Sequence, residues 1–225
     1  MSLIAVQWDH AVVFLEVRPD STDLDVVRES VENVYGLRRE DFNKSGVFVD
    51  IGANIGVMSL LAKSVGARVI VAYEPEPDNF ALLERNKKLN KVQIETHAEA
   101  VWGETGPIKL VSLQGNSSSE SSLVALHPDK VIEVETRSLR QVLQSFEEID
   151  VLKVDTEGAE YEIFVDEHVN KKARKIVIEY HRTTVDKFGR LTALLSKTHN
   201  VQLFGHYDVG GGMIVGRRYG DCDVT

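Results

Sequence analysis

A glycine turn between an apolar run and a helical pattern constrains this chain more than any other stretch. Residues 47–51 are β-branched or aromatic apart from Asp50, and Gly52 and Gly56 follow within five positions. Such a run is typical of a buried strand, and a glycine after it lets a ligand approach the main chain closely. Free N–H groups at the start of the following helix favour a carboxylate or phosphate. The same pattern also occurs as a purely structural turn, so it does not assign a function alone.

The next apolar run ends in a feature of nucleoside sites. Residues 68–73 predict a second strand, which is followed by Glu74 and Pro75. Glu74 lies 24 residues after Asp50 (74 − 50). An acid about 20 residues after the glycine turn, at the end of the second strand, is placed to hydrogen-bond the hydroxyls of a ribose. We therefore predict a ligand that contains a nucleoside.

The glycine spacing distinguishes which nucleoside ligand fits. A dinucleotide site requires G-x-G-x-x-G, whereas Asn54 stands here where the middle glycine would be. The close approach of a pyrophosphate is lost, and Asp50 before the turn suits a cationic amine better than a phosphate. A ligand with a ribose, an amine and a carboxylate but no phosphate fits S-adenosylmethionine, which is the cofactor we predict.

Three motifs in this order resemble the FkbM family of S-adenosylmethionine-dependent methyltransferases. They are DIGANIG at 50–56, EPEPDNFALLERN at 74–86 and DTEGAE at 155–160. The similarity runs from about residue 47 to about residue 181. The resemblance implies a seven-stranded sheet closed by an antiparallel strand, and O-methylation of a hydroxyl on a small molecule such as a natural product or sugar. That substrate class comes from the family and not from the residue pattern.

The alternation of strands and helices predicts the fold class. It indicates an α/β protein with a Rossmann-like doubly wound, mostly parallel sheet and helices on both faces. Residues 1–45 predict an N-terminal hairpin and helix, and residues 46–225 predict the Rossmann-like domain. The serine-rich residues 114–122 are interpreted as either a substrate lid or a plain loop.

Eight residues are predicted to bind the cofactor. The methionine end is assigned to the glycine turn, the ribose to the end of the second strand, and the adenine to the loop after the third strand. In chain order these are Asp50, Gly52, Asn54, Gly56, Glu74, Pro75, Glu99 and Ala100.

Two further residues are predicted to be catalytic. Asp155 follows a core strand at 149–154 and would orient the cofactor amine or the acceptor. His181 follows the neighbouring strand, and an imidazole suits a general base near neutral pH. The structural alternatives are helix capping by Asp155 and a plain surface position for His181.

The same strand ends leave a metal site open as an alternative. Asp155, Glu157, Glu179 and His181 together offer hard oxygen ligands and one imidazole, which suit a divalent cation. Their relative geometry cannot be read from the sequence. We predict proton removal without a metal.

Two other functional classes compete with the methyltransferase interpretation. An NAD-dependent sugar oxidoreductase or epimerase would need the middle glycine and a tyrosine followed four residues later by lysine. None of the six tyrosines has that lysine. The other alternative is a non-catalytic module that binds a nucleoside and has lost the chemistry.

The net charge and the residue composition limit the classes of partner and the cellular location that we expect. A net charge of −9 disfavours a nucleic-acid substrate. The single cysteine, Cys222, cannot form an internal disulfide, and no apolar run approaches the roughly 18 residues of a membrane span. We expect a cytoplasmic protein that acts on a small molecule or sugar, and the sequence does not predict its oligomeric state.

Overall fold

Two antiparallel strands at the N-terminus precede the central sheet. The computed structural model describes residues 1–113, 116–118, 131–181, 183–206 and 211–221. β1 (Ser2–Trp8) and β2 (Ala11–Val17) form a hairpin, and α1 (Asp23–Val31) and a short 3₁₀ helix (Arg39–Phe42) follow. The segment shares a core with the central sheet, because Leu15, Val17 and Val27 pack with Phe48. The division into two units at residue 45 stays a prediction.

Strands and helices alternate in the next segment, as the apolar runs predicted. They are β3 (Val47–Ile51), α2 (Val57–Ser64), β4 (Val69–Tyr73), α3 (Pro77–Leu89) and β5 (Glu95–His97). α2 begins at Val57 because Gly56 before it has a left-handed φ of +87°. α3 begins at Pro77, whose missing N–H costs no hydrogen bond there, and the Glu76 carboxylate caps it by accepting from the N–H of Asn79 at 2.7 Å.

Short strands form two small sheets beside the central one. They are β6 (Ala100–Trp102), β7 (Ile108–Leu113), β8 (Asn116–Ser118), β9 (Val131–Val134) and β10 (Thr136–Ser138). β6 and β10 pair in parallel, whereas β7 pairs antiparallel with β8 and β9. The sequence pattern does not predict β6 and β10, because three residues are too few to show a periodicity. Apart from 116–118, the proposed lid at 114–122 lies outside the described residues.

The last segment completes the central sheet. Its elements are α4 (Leu139–Leu143), β11 (Ile149–Val154), α5 (Glu160–Ile163), α6 (Glu167–Asn170), β12 (Ala173–His181), α7 (Val185–Ser196), β13 (His199–His206) and β14 (Gly211–Arg218). β11 is buried along its whole length. Such burial explains why a continuous apolar run predicted it.

The seven strands are ordered β13-β14-β12-β11-β3-β4-β5. β14 is antiparallel to both neighbours, and the pairs from β12 to β5 are parallel. One hydrophobic cluster covers each face of the sheet. The predicted fold class, a doubly wound and mostly parallel α/β sheet, is confirmed. Within the described ranges, no helix is both long enough and apolar enough to cross a membrane.

The strand order fixes where a ligand can bind. The chain starts the sheet at β3, runs outward through β4 to β5, and returns to β11 on the other side of β3. Ligands of doubly wound sheets bind outside the carboxyl ends of the strands at such a reversal. The crevice at the carboxyl ends of β3 and β11 is therefore the expected site.

Candidate active site

A first cavity opens at this reversal, with about 630 Å³ of empty space counted out to its open mouth. Apolar side chains of β6 and β7, namely Trp102, Ile108 and Leu110, form part of its lining. Seven of the ten predicted site residues line it: Gly52, Asn54, Glu74, Pro75, Glu99, Ala100 and Asp155. Seven of the ten predicted residues therefore lie together at one cavity, and their roles stay predictions.

At the glycine turn, the main chain of Gly52 lies close to the main chain of Asp155. Gly52 has a φ of +74°, and a Cβ added to it would lie 1.7 Å from the main-chain carbonyl oxygen of Asp155. The predicted free N–H groups are not found in the turn itself. Those of Gly52 and Ala53 both donate to the carbonyl of Tyr73 at 3.0 Å, and that of Asn54 donates to Glu74 at 2.8 Å. Gly52 is therefore required by the close approach of the Asp155 main chain.

Glu74 is a buried carboxylate at the end of β4, with 4% of the residue exposed. One oxygen accepts from the N–H of Asn54 at 2.8 Å, and the other accepts from the N–H of Glu76 at 2.9 Å. Burial raises the pKa of Glu74 to about 7. Each oxygen keeps a further lone pair that can accept a hydroxyl proton.

The structure does not bring Asp50 and Gly56 to this cavity. Asp50 is fully buried, accepts from the Ser59 hydroxyl at 2.7 Å and lies 3.2 Å from the ammonium of Lys153. Lys153 also donates to the carbonyl of Gly52 at 2.6 Å. We expected Asp50 to pair with the amine of the cofactor. Its partner is instead the ammonium of Lys153. Gly56 faces Leu83, whose Cγ would lie 3.1 Å from an added Cβ.

Glu99 and Ala100 line the cavity with most of their polar groups already in use. The carboxylate of Glu99 accepts two hydrogen bonds from Arg137, at 2.6 and 3.0 Å, and these lower its pKa. The N–H of Ala100 donates to the carbonyl of Glu135 at 2.9 Å. Ala100 therefore offers an adenine an apolar surface rather than a main-chain donor.

A second cavity, with about 810 Å³ of empty space, lies between α1 and the carboxyl ends of β11 and β12. It shares Gly52, Asn54, Asp155 and Glu157 with the first cavity. Its other polar residues are Thr22, Asp25, Glu29, Ser30, Tyr35, Lys153 and Glu179. The two cavities are thus neighbours across the end of β11, and carboxylates dominate the second one.

The sequence patterns did not predict Tyr35 and Lys153, which line this second cavity. Lys153 is 3% exposed and is the one charged residue in the second half of β11, residues 151–154. A lysine in an apolar strand can indicate a buried ion pair. Tyr35 lies 120 residues from Asp155, whose carboxylate it contacts. A lone tyrosine after a helix gives no signal of such a contact.

Asp155 directly follows β11, as predicted. Its Oδ2 accepts from the Tyr35 hydroxyl at 2.9 Å and lies 3.5 Å from the Lys153 ammonium. The next helix, α5, begins only at Glu160, with Ala159 at its N-cap position. Asp155 therefore does not cap that helix, and its carboxylate faces the two cavities.

His181 ends β12 but is not part of the lining of either cavity. Its Nδ1 lies 3.3 Å from a carboxylate oxygen of Glu160, and its Nε2 lies 3.2 Å from one of Glu157. Burial lowers the pKa of His181, but the hydrogen bond to Glu160 and the neighbouring negative charges outweigh burial and raise it to about 9. A general base must be neutral, so this arrangement opposes the predicted role.

The ligand atoms of Asp155, Glu157 and His181 lie within 4.8 Å of one another. Both imidazole nitrogens already face carboxylates, so His181 forms ion pairs with the acids of this cluster. The expectation of proton removal without a metal stays a prediction.

Comparison with known proteins places the chain in a family. Residues 50–206 match the model of the methyltransferase FkbM domain. The chain is 31% identical over 168 residues to methyltransferase sdnD of Sordaria araneosa, covering 58% of this chain and 64% of that protein. It is 28% identical over 145 residues to methyltransferase 1 of Beauveria bassiana (strain ARSEF 2860), covering 54% of this chain and 58% of that protein. The matches therefore span less than two thirds of these relatives.

A solved structure supports the fold independently. The precorrin-6y C5,15-methyltransferase of Geobacter metallireducens GS-15 superimposes with a TM-score of 0.52 at 13% identity, covering 91% of this chain and 94% of that chain. At this identity the likeness concerns the fold alone. The family model covers more than half of the sequence, and the chain belongs to the FkbM methyltransferase family, as its three motifs predicted.

Proposed function

We propose that this protein transfers the methyl group of S-adenosylmethionine to a hydroxyl of a small molecule or sugar. The observation that carries the proposal is the buried carboxylate of Glu74 at the end of β4, on the first cavity. Two main-chain N–H groups fix its oxygens and leave lone pairs for two ribose hydroxyls. Family membership favours this cofactor over NAD.

The remaining lining fits the rest of that cofactor. Trp102, Ile108 and Leu110 supply an apolar surface for the adenine, and Asp155 supplies a carboxylate for the ammonium. The cofactor, when bound, supplies a methyl group on a positively charged sulfur. The chain itself has to orient an acceptor oxygen toward that methyl group, exclude water and remove the proton of the oxygen.

The second cavity is the proposed acceptor site. It shares Gly52, Asn54, Asp155 and Glu157 with the first cavity, so an acceptor there meets the cofactor at this common boundary. The net charge of −9 supports a small acceptor over a nucleic acid. A cytoplasmic location is proposed from the lone cysteine and stays a prediction.

Isothermal titration calorimetry tests the cofactor assignment. The wild-type protein is titrated with S-adenosylmethionine, S-adenosylhomocysteine and NAD. We expect dissociation constants on the order of micromolar for the two adenosyl compounds. Glu74→Gln is expected to weaken both at least about tenfold, since an amide oxygen replaces only one of the two acceptors.

Glu133→Gln is the matched control, because Glu133 is an exposed acid of β9 that does not line either cavity. Binding of NAD alone, or of none of the three compounds, would overturn the proposal. A screen for methyl transfer to sugars and other hydroxyl compounds follows. Cofactor binding with no transfer to any acceptor would instead indicate a non-catalytic module.

A further inference from the structure

The hydroxyl of Tyr35 lies between two carboxylates at the boundary of the second cavity. Its oxygen is 2.9 Å from Oδ2 of Asp155 and 2.9 Å from Oε2 of Glu179. The carboxylates come from the ends of neighbouring strands, β11 and β12, and the tyrosine comes from the loop after α1. Tyr35 is 4% exposed, so water does not compete freely for these contacts.

Counting protons shows that this arrangement needs one more than the phenol provides. A tyrosine hydroxyl has a single proton and can donate to one carboxylate at a time. If both carboxylates were ionised, the other would face a phenol lone pair at 2.9 Å with no proton between them. A proton on one carboxyl turns both contacts into hydrogen bonds.

The neighbouring charges decide which carboxyl holds that proton. The Lys153 ammonium forms an ion pair with Oδ2 of Asp155 at 3.5 Å. The proton therefore belongs to Glu179, which donates to Tyr35, while Tyr35 donates to Asp155. Burial and the charge of Asp155 raise the pKa of Glu179 to about 7, against the opposing effects of Tyr35, His181 and Lys153.

Other charged groups face the same cavity. From α1 these are Asp25 and Glu29, and from the loop after β11 there is Glu157. All three are acidic and act on Glu179 in the same direction as Asp155, toward the protonated form. Arg28, on α1, pairs with Asp25 at 3.1 Å on the exposed side of the helix.

We propose that Tyr35, Asp155 and Glu179 share one proton, and that the carboxylate of Glu179, once this proton has left to solvent, takes the proton of the acceptor hydroxyl. The second half of this inference rests on the proposed function. As the bond between oxygen and methyl carbon forms, the bond between sulfur and that carbon breaks and its electron pair stays on sulfur. The hydroxyl proton passes to Glu179 and leaves later to solvent through the open cavity. Tyr35 and Asp155 are positioning residues for Glu179.

A titration of the free protein tests the shared proton without any acceptor. The protein is labelled with ¹³C at the glutamate carboxyl carbons, and the Glu179 signal is identified by its loss in Glu179→Gln. We expect a midpoint near pH 7 in the wild type. Asp155→Asn should lower that midpoint by about one pH unit or more, because it removes the adjacent negative charge.

Glu133→Gln is the matched control, an exposed acid that lines neither cavity, and should leave the Glu179 midpoint almost unchanged. A Glu179 midpoint near the ordinary value of 4.5 overturns the proposal. So does a midpoint that Asp155→Asn does not move. Because the wild-type titration alone is decisive, an unfolded variant does not remove the test.

Kinetic measurements test whether Glu179 takes the proton of the acceptor hydroxyl. They use an acceptor found in the methyl-transfer screen. Glu179→Gln should lower kcat at least about 100-fold while calorimetry shows unchanged cofactor affinity. His181→Gln should keep most of kcat, and Tyr35→Phe should shift the acidic limb of the pH–rate profile. The reverse result for Glu179 and His181 overturns the proposal. Failure of the wild type to bind S-adenosylmethionine contradicts the proposed function instead, and the titration still decides the shared proton.

Discussion

The two ends of the central sheet carry buried charges in different ways. At the amino ends of β11 and β12, Asp150 pairs with Arg174 at 2.8 Å. Asp41, close to it, pairs with Lys175 at 2.8 Å and with Arg217 at 3.1 Å. At the carboxyl ends, the cations Lys153 and His181 share five acids: Asp50, Asp155, Glu157, Glu160 and Glu179.

This difference separates a structural end from a functional one. A buried acid that is paired and fully hydrogen-bonded costs little once the fold is formed. A surplus of acids raises carboxyl pKa values and lowers stability, and such surpluses are typical of sites that bind or transform a ligand. The cavities lie at the end with the surplus, which supports the proposed site.

Removing one buried lysine from each end should give the largest contrast. Lys153→Met leaves Asp50 buried with the Ser59 hydroxyl as its side-chain partner among the described residues, and should lower the free energy of unfolding by about 3–5 kcal/mol. Lys175→Met leaves Asp41 with Arg217 and the N–H of Arg38, and should cost about 1–2 kcal/mol. Urea unfolding followed by circular dichroism measures both.

The double variant Lys153→Met, Asp50→Asn is the control for this contrast. It replaces the unpaired carboxylate of Asp50 with a neutral amide, so it should recover part of the stability lost in Lys153→Met. Equal costs for the two lysine variants would show that the two ends do not differ in the way described.

The two glycines that flank β3 give a second contrast. Gly46 and Gly52 have φ values of +70° and +74°, so alanine is strained to a similar extent at both, by about 1 kcal/mol. An added Cβ at Gly46 meets the exposed Arg68 side chain at 2.7 Å, whereas at Gly52 it meets the main-chain oxygen of Asp155 at 1.7 Å. Gly52→Ala should therefore cost at least twice as much as Gly46→Ala in thermal or urea unfolding, and should also weaken cofactor binding. A Gly52→Ala variant as stable as Gly46→Ala would contradict the close approach.

The smallest expected effect is a pH dependence that comes from the carboxyl end. The pKa of Glu179 is raised from 4.5 to about 7 by burial and Asp155, so the folded state keeps a proton that the unfolded chain has lost. Its contribution to stability is present below about pH 4.5 and is lost as the pH rises to about 7. The pKa of His181 is raised from 6.5 to about 9, and its contribution is lost between those values.

Urea midpoints at pH 5, 7 and 9 test these two windows. Glu179→Gln should reduce the fall between pH 5 and 7, and His181→Gln should reduce the fall between pH 7 and 9. Glu133→Gln, which changes an exposed acid, should keep the wild-type profile. Variant profiles that parallel the wild type would place the dependence elsewhere in the molecule.

The fold was predictable because buried parallel strands leave simple sequence patterns. The run at 149–154 became β11 with the same bounds, and 68–73 became β4 (Val69–Tyr73) within one residue. Pro77 fixed the start of α3. Strand order placed Glu74 and Asp155 at one edge, so seven of the residues that line the first cavity could be predicted from the sequence.

Contacts between distant segments were not predictable. The partner of Asp50 is Lys153, which lies on another strand, and sequence alone could not distinguish it from a cofactor amine. Tyr35 reaches Glu179 across 144 positions, and no local sequence pattern indicates a contact between segments so far apart. His181 was correctly placed at a strand end, but its two carboxylate partners, which decide its charge, depend on side-chain geometry.

The origin of the second cavity has a consequence for how this protein can change its specificity. Asp25, Glu29 and Tyr35 belong to the segment that precedes the region shared with the family, whereas the glycine turn and Glu74 lie within that region. On the proposed function, part of the acceptor site is thus encoded outside the region that binds the common reagent. Substitutions in α1 can therefore change the recognition of the acceptor while the residues that bind the common reagent are retained.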